Sequence, residues 1–367
     1  MKQFDVAVIG GGVAGLSLAA GLAATRKVVV LEAESALGYH ATGRSGAVFG
    51  RSYGNETILK LNTISADFFD TPPPNFADYP LIRSRPWLIV AREDQLKMAE
   101  KWVHLSPHLK SVEASEVPDA SAGLLKRGYA ALGLLDQSCG DLDVHGLIEG
   151  YRRAIKRFGG EIVVSACVNA IAQHGRSWSL ETTAGKFSAP LIANTAGAWA
   201  DNISGLIGLD PLGLQPYRRS AALIAPPSRV DLNHQPVVLD AEEQFYFKPD
   251  AGKLMISSAD ETPSPPCDAQ PEEIDIALAI DRYQTATDCE VRRVEHRWAG
   301  LRTFAPDRTP VVGLDPRREG LLWIAGQGGY GIQIAPALSE LAVKLVNGEC
   351  VDQNLAAALD PRRFIRP

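Results

Sequence analysis

The sequence has no apolar run approaching the roughly 18 residues of a membrane-spanning helix, which excludes an integral membrane chain of that kind. It also lacks any basic run. With 37 Lys and Arg against 43 Asp and Glu, the net charge is −6, and the electrostatic footprint of a nucleic-acid binder is missing. Cysteine is sparse: Cys139, Cys167, Cys267, Cys289 and Cys350 are odd in number, scattered and without a CxxC spacing. That pattern points away from both a disulfide framework and a cysteine zinc site. The histidines are spread without metal-ligand spacing, so no metal is expected. No internal repeat, no low-complexity tract and no cleavable leader is found, and Met1-Lys2-Gln3 lead directly into a strand. The expectation is a cytoplasmic protein with small-molecule partners. Its 367 residues, 46% hydrophobic and 22% charged, suffice for a full core in two domains.

What is present is concentrated at the N-terminus. The apolar run Val6-Ala7-Val8-Ile9 enters the turn Gly10-Gly11-Gly12-Val13-Ala14-Gly15, which fits GxGxxG with Gly10, Gly12 and Gly15. An apolar helix follows, then a second run, Val28-Val29-Val30-Leu31, that ends in Glu32. A strand, a glycine turn, a helix and a strand closed by an acid about 20 residues past the glycines form a dinucleotide-binding β-α-β unit. In such a unit the first glycine permits the turn, the second clears space for a pyrophosphate, and the third lets the helix lie on the sheet. The helix N-terminus offers unpaired N–H groups to the phosphates. Glu32 can accept from ribose hydroxyls and would repel a 2′-phosphate, leaving FAD or NAD.

Beyond Glu34 the Gly- and Ser-rich segment SALGYHATGRSGAVFGRSYGNE lies beside the ligand, with Arg44 and Ser45 as donors to a phosphate or ring. Periodicity predicts a helix over Thr57–Phe69, a strand in Arg85–Val90 and an amphipathic helix over Glu93–Leu105. The chain returns to the first unit twice. The first return is a helix capped by Asp143 and a strand from Glu161; the second is the strand Leu191–Asn194 with the small-residue turn Thr195–Trp199. After Pro211 the pattern is β-rich, with strands at Ser220–Ile224, Pro236–Leu239, Gln244–Lys248 and Lys253–Ser257, the last two joined by a turn at Pro249–Gly252. A proline loop over Thr262–Pro271 and a helix over Glu272–Cys289 follow. The chain closes with the strand Leu321–Ala325, a glycine loop and a helix over Ile332–Val346. The expected fold is α/β, α+β in layout: a Rossmann-type domain discontinuous in sequence (1–55, 141–210 and 306–367) and a β-rich substrate-binding domain (56–140 and 211–305).

The glycine unit with GRSGA after it, the NTAGAW turn, and WAGLRTFAPDRTPVVG followed by AGQGGYGIQIAPA together resemble the D-amino-acid oxidase class of flavoproteins. Within it, GYHATGRS, LGLQPYRRSA, FYFKPDAG and QGGYGIQ are most similar to FAD-dependent D-arginine dehydrogenases, and the glycine and sarcosine oxidases are more distant. The resemblance implies FAD, bound non-covalently since no matched cysteine or histidine would attach it. It also implies hydride transfer from a D-amino acid Cα to the flavin, then hydrolysis of the imino acid to a 2-oxo acid and ammonia. The electrons would pass to a quinone, another acceptor or O2. The implied cofactor set is Gly10, Gly12, Val13, Ala14, Gly15, Glu32 and Ala33, the loop residues His40, Thr42, Gly43, Arg44, Ser45 and Ala47, and Val168. Ala196, Gly197, Trp199, Gly300 and Arg302 continue it, and Gly328, Gly329, Tyr330, Gly331, Ile332 and Gln333 complete it.

On the substrate side, the resemblance makes Arg302 the carboxylate-binding arginine, whose planar fork suits bidentate pairing. Tyr246 and Tyr53 correspond to tyrosines over the same group, Arg219 to a further arginine, and Gly329 to the loop beside them. The chain departs from the pattern where D-arginine dehydrogenases have a glutamate facing the guanidinium; here stands Trp87, with Val48 and Gly50 replacing a histidine and a threonine. With Val237 and Leu239 on a nearby strand, these residues predict a pocket favouring apolar or aromatic over cationic side chains. Asp240, Glu242 and Glu243 lie close enough in sequence to restore a cationic preference. Two further readings are a glycine, sarcosine or opine-type amine oxidase using O2, and a non-catalytic flavin-binding subunit.

Overall fold

In the computed structural model, which describes residues 1–228 and 230–365, six short strands, most of them apolar runs, lie side by side. The strand order is Glu161–Val163, Val28–Leu31, Val6–Ile9, Leu191–Asn194, Leu321–Ala325 and Val311–Leu314, parallel except for the last. A parallel sheet covered on both faces needs such continuous apolar strands, because alternate residues point to opposite sides. Val6 and Val8 accordingly join the core under the helices Val13–Ala23, Val144–Arg157 and Gly331–Asn347. Ala7 and Ile9 join the opposite core, roofed by the meander Val168–His174, Ser177–Thr182 and Gly185–Ala189. That meander carries too many polar residues to be read as core, yet Trp178 and Leu180 on its inner face are fully buried. Each such side chain contributes about 1.5 to 3 kcal/mol on leaving water.

The helix Val144–Arg157 is capped as its sequence indicates, Asp143 accepting from the Gly146 N–H at 2.8 Å. The helix Glu56–Asp70 packs its apolar face, Ile58, Leu61, Ala66 and Phe69, into the same core as the first β-α-β unit. The segment read as one helix from Glu93 opens with a 3-10 turn, Glu93–Gln95, before the α-helix Leu96–Leu105.

A second, larger sheet holds most remaining strands. Its order is Gln327–Gly328, Val294–Phe304, Gln215–Ile224, Lys253–Ser257, Tyr246–Asp250, Val237–Asp240, Trp87–Ala91, Leu132–Asp136 and Lys110–Glu113. The helix Glu273–Ala286 covers one face, over Ala222, Val238, Phe247 and Ile256. Two details differ from the sequence reading. The strand Tyr246–Asp250 runs through Pro249, and the hairpin turns on Ala251 (φ 48°) and Gly252 (φ 76°) alone, the two-residue turn whose twist matches paired strands. Gln244 and Phe245 belong to the preceding turn rather than to the strand, because Asp240 accepts from the Gln244 N–H at 3.2 Å and its own N–H reaches the Phe245 carbonyl at 3.0 Å. The proline loop contains a two-residue strand, Thr262–Pro263, paired with Tyr217 and Arg218. Among the described residues no helix is long and apolar enough to cross a membrane, and no cluster of His, Cys, Asp or Glu is arranged to hold a metal.

Candidate active site

Between the carboxyl ends of the parallel strands and the open face of the large sheet lies a cavity of about 560 Å³, reaching from Gly10 to Arg302. At its first end lie Gly10 and Gly12 of the glycine turn. Gly10 takes φ +111°, and a Cβ there would stand 2.6 Å from the Thr195 carbonyl oxygen. Gly15 would bring its Cβ to 2.0 Å from the Gly10 carbonyl oxygen, so it serves helix packing and does not line the cavity. Gly12 faces open space apart from Thr42 Oγ1 at 3.3 Å, a cradle that a larger residue would fill. The N-cap residue of the helix Val13–Ala23, Gly12, has no side chain to cap it, and Thr42 Oγ1 accepts from the first N–H, that of Val13, at 3.1 Å. The remaining N–H groups and the helix dipole are left for an anion.

Glu32 is nearly buried and braces this turn, its Oε2 accepting from the Gly11 N–H at 2.5 Å and its Oε1 from the Glu34 N–H at 2.8 Å. It still lines the cavity beside Ala33, where further lone pairs can meet ribose hydroxyls. His40 packs its ring 4.6 Å from that of Trp199 and bonds Glu34 through Nε2 at 2.9 Å. Arg44 lines the cavity, with much of its donor capacity already engaged. Its guanidinium donates to the carbonyls of Ala269 (2.9 Å) and Ala299 (3.1 Å) and to the Asp268 carboxylate, tying the loop to the facing sheet instead of offering free donors. Val13, Ala14, Thr42, Ser45, Val168, Ala196, Gly197, Gly300, Gly328, Gly331 and Ile332 all line the cavity. Gly43, Ala47, Tyr330 and Gln333 do not; Gly43 sits against the Gly38 carbonyl, Ala47 makes a turn at φ 53°, and Gln333 accepts from the Gly50 N–H at 3.0 Å. Gln327, which the sequence did not single out, lines the cavity with a buried Nε2 lacking any partner among the described residues, a donor waiting for a ligand.

The far end is assembled from separate strands. Arg302 on Val294–Phe304 and Arg219 on Gln215–Ile224 point to the same face, since Tyr217 pairs with Arg302 and Arg219 with Gly300. Tyr246 lines the cavity two strands away. A Cβ on Gly329 would lie 2.9 Å from the Arg302 guanidinium carbon, so a larger residue in the loop before the C-terminal helix would push that guanidinium from its place. Burial disfavours charge on Arg302, but Tyr53, Tyr246, Glu243 and Tyr330 outweigh it and hold the guanidinium above its ordinary pKa. Among the described residues no carboxylate lies within ion-pair distance of Arg302, whereas Arg219 and Arg308 both pair with Glu261, at 3.2 and 2.9 Å.

Tyr53 does not line the cavity as it stands. Its hydroxyl donates to Glu243 Oε2 at 2.8 Å, and its ring lies 5.0 Å from Tyr330, 5.4 Å from Trp87 and 6.2 Å from Trp102. Burial first, then the Glu243 charge, pushes the Tyr53 phenol well above 10.0, so it remains protonated. Glu243 is the residue sequence reasoning undervalued. It sits at φ +54° in the turn built around fully buried Asp240, whose carboxylate accepts from Arg92, Gln95, the Glu242 N–H and the Gln244 N–H. A non-glycine residue in that conformation costs roughly 1 kcal/mol, and the only prior signal was its place in the strand-joining run before Tyr246.

The expected apolar pocket is not formed at the cavity surface. Trp87, Val48, Val237 and Leu239 belong to a core that includes Tyr53 and Tyr246 at its edge, and Gly50 is pressed against the Trp87 ring, its would-be Cβ 2.7 Å away. None of these five residues lines the cavity. Val237 pairs with Trp87 in register, so both sit on the correct sheet face but behind Tyr53 rather than beside Arg302.

A family model described as DAO, FAD dependent oxidoreductase, matches residues 5–345. Among curated proteins the chain is similar to the uncharacterized oxidoreductase YurR of Bacillus subtilis, 27% identical over 206 residues, a match spanning 54% of this chain and 53% of that protein. It is similar along most of its length to the glycine oxidase of Pseudomonas putida, 23% identical with 94% of each chain covered. Among solved structures, glycine oxidase from Geobacillus kaustophilus shares the fold with a TM-score of 0.85, at 20% identity and with 100% of both chains covered.

Proposed function

This chain belongs to the DAO family of FAD-dependent oxidoreductases, and from that premise we propose that it oxidatively deaminates D-amino acids. Bound FAD supplies a two-electron acceptor; the glycine turn, the N-terminus of the first helix and Glu32 would hold its ADP half. Gln327 and the uncapped N-terminus of the helix Gly331–Asn347 would hold its ring end. The expected products are an imino acid, which water converts to the 2-oxo acid, and ammonia.

The observation that carries the proposal is Arg302: a charged guanidinium at the end of the cavity remote from the glycine turn, with no carboxylate within ion-pair distance among the described residues. A substrate carboxylate completes that pair. Bidentate pairing fixes the plane of the carboxylate, the Tyr246 hydroxyl adds a single hydrogen bond, and Tyr53 would add another on turning its hydroxyl from Glu243 into the cavity, which together orient the Cα–H bond. Arg219, restrained by Glu261 and the Asp260 carbonyl, keeps this end positive without competing for the same position. Gly329 leaves the space in which Arg302 lies.

The D configuration rests on the likeness of GYHATGRS, FYFKPDAG and QGGYGIQ to D-arginine dehydrogenases. The proposal does not extend to an apolar side-chain preference, because the residues behind that expectation stand outside the cavity. We further propose dissociable FAD, a cytoplasmic location and the division of the chain into 1–55, 141–210 and 306–367 against 56–140 and 211–305. Arg229, Arg366 and Pro367 lie outside the described residues. The grouping of most strands into two separate sheets supports this division, while the helix Glu56–Asp70, in the second set by number, packs on the cofactor side, and Gln327–Gly328, in the first set, pairs in the large sheet.

A second reading, an oxidase of glycine or a related amine using O2, draws on the similarity to glycine oxidase along 94% of the chain. The experiment is anaerobic bleaching of the flavoprotein by a panel of D- and L-amino acids, glycine and sarcosine, followed by admission of air. Bleaching by D-amino acids with slow reoxidation supports a dehydrogenase; selective bleaching by glycine or sarcosine with rapid reoxidation supports the second reading. A protein that no amine reduces contradicts both.

A further inference from the structure

We propose that Asp136, acting through Ser52, is a positioning residue that fixes Tyr53 next to Arg302, at the margin of the substrate end of the cavity. Asp136 ends the strand Leu132–Asp136 and is completely buried, yet among the described residues no Lys, Arg or His lies within ion-pair distance of it. A buried carboxylate without a cation is costly unless hydrogen bonds replace its hydration. Asp136 has that replacement. Its Oδ2 accepts from Ser52 Oγ at 2.5 Å, and its Oδ1 accepts from the Ser138 N–H at 2.9 Å and Ser138 Oγ at 2.5 Å. Ser52 Oγ also lies 2.7 Å from Ser106 Oγ, so its position is fixed from two sides. Burial raises the carboxyl pKa, but the bonds from Ser138 and Ser52 outweigh it and the group stays ionised, below the usual carboxylate range.

Ser52 adjoins Tyr53 in a loop with little other freedom. Gly50 and Gly54 bound it; a Cβ at Gly50 would meet Trp87 at 2.7 Å, and one at Gly54, where φ is +123°, would meet Ile58 at 2.4 Å. Asn62 Nδ2 donates to the carbonyls of Gly50 and Tyr53, both at 3.2 Å, and Gly50 donates to Gln333. With the backbone held from the helix side by Asn62, the Ser52 side chain turns inward to Asp136 while the next side chain, Tyr53, reaches Glu243 and the surroundings of Arg302. A charge-assisted O–H···O⁻ bond is about twice as strong as a neutral one, which explains a carboxylate here where a neutral acceptor would be easier to bury. Trp87 pairs with Asp136 in register, so the same anchor sets the ring against which Tyr53 rests.

This inference rests on the reading that Tyr53 acts on the substrate, and the two can be separated. Ser52→Ala, Ser52→Thr and Asp136→Asn are made in the FAD-loaded enzyme, and Ser52→Ala is made again in a Tyr53→Ala background. kcat and KM are measured with the fastest D-amino acid of the panel, with flavin content and Tm alongside. Ser52→Ala is expected to lower kcat/KM on the order of tenfold at unchanged flavin content, Asp136→Asn similarly, and Ser52→Thr to restore most of the loss by keeping the hydroxyl. In the Tyr53→Ala background the same Ser52→Ala change should have less than about a twofold effect, because the group it positions is gone. Equal losses in both backgrounds, or no loss from Ser52→Ala alone, would overturn the proposal. If Asp136→Asn does not fold, the Ser52 pair decides. A Tyr53→Ala enzyme with full activity would instead refute the role of Tyr53 itself.

Discussion

The two ends of the cavity are built on different principles. At the first end, backbone geometry dominates: Gly10, Gly12 and Gly15 set the path, the start of the first helix lines the cavity, and Glu32 locks the turn through the Gly11 and Glu34 N–H groups. At the other end, side chains from three strands converge, Arg302 and Arg219 on paired strands and Tyr246 two strands beyond Arg219, with Tyr53 and Glu243 on turns near Arg302 but outside the cavity lining. The first end binds by geometry that a single added carbon destroys. The second binds by charge and hydroxyls that can be trimmed one at a time, so graded losses belong there and all-or-none losses at the glycine turn.

The sharpest break of that contrast is Gly15→Ala, whose Cβ would sit 2.0 Å from a backbone oxygen. We expect at least about a hundredfold weaker FAD binding, or loss of folding, from overpacking at a site that cannot relax; flavin fluorescence on titration measures it. Arg302→Ala should keep its flavin yet lose about a hundredfold or more in kcat/KM, the cost of leaving a buried carboxylate unpaired. Tyr246→Phe removes one hydroxyl and should cost roughly fivefold to tenfold in kcat/KM. If Arg302→Ala instead lost FAD, or Gly15→Ala kept it, the two ends would not be separable.

Smaller effects sharpen the comparison. Tyr53, its phenol raised by burial and by Glu243, holds its proton in the folded protein above pH 10.0 while the unfolded chain releases it. The folded state then binds more protons, so stability is complete below pH 10.0 and falls as pH rises toward the folded-state value. Tyr53→Phe should flatten part of that fall in urea midpoints measured at pH 9 and pH 11. Trp87→Phe should change the ratio of kcat/KM for D-leucine over D-arginine by less than about threefold, because Trp87 stands outside the cavity; a tenfold change would put it in contact with substrate.

Legibility followed the same division. The β-α-β unit, its glycines and Glu32 could be read because their order in sequence is their order in space, within residues 6–32. The strands Leu191–Asn194 and Leu321–Ala325 were likewise visible as apolar runs flanked by small residues. The meander over Val168–Ala189 was not, since its strands are rich in polar residues and the first two bury few of their side chains. The place of Trp87 could not be read because register alone puts it on the right face, and only Tyr53 lying between decides that it is core. Arg44 carried the signal of an anion ligand but met Asp268, a partner 224 residues away. Glu243 faces Tyr53 only because Asp240 folds the intervening turn, a contact set by hydrogen bonds that no periodicity announces.

The most direct test is anaerobic reduction of the bound flavin by D- and L-amino acids in the wild-type protein and in Arg302→Ala, followed at the flavin absorbance band. The account predicts rapid bleaching by at least one D-amino acid, none by its L enantiomer, and at least about a hundredfold slower bleaching in Arg302→Ala at the same subsaturating substrate concentration. Bleaching of both proteins at the same rate, or preferential reduction by L-amino acids, would contradict it.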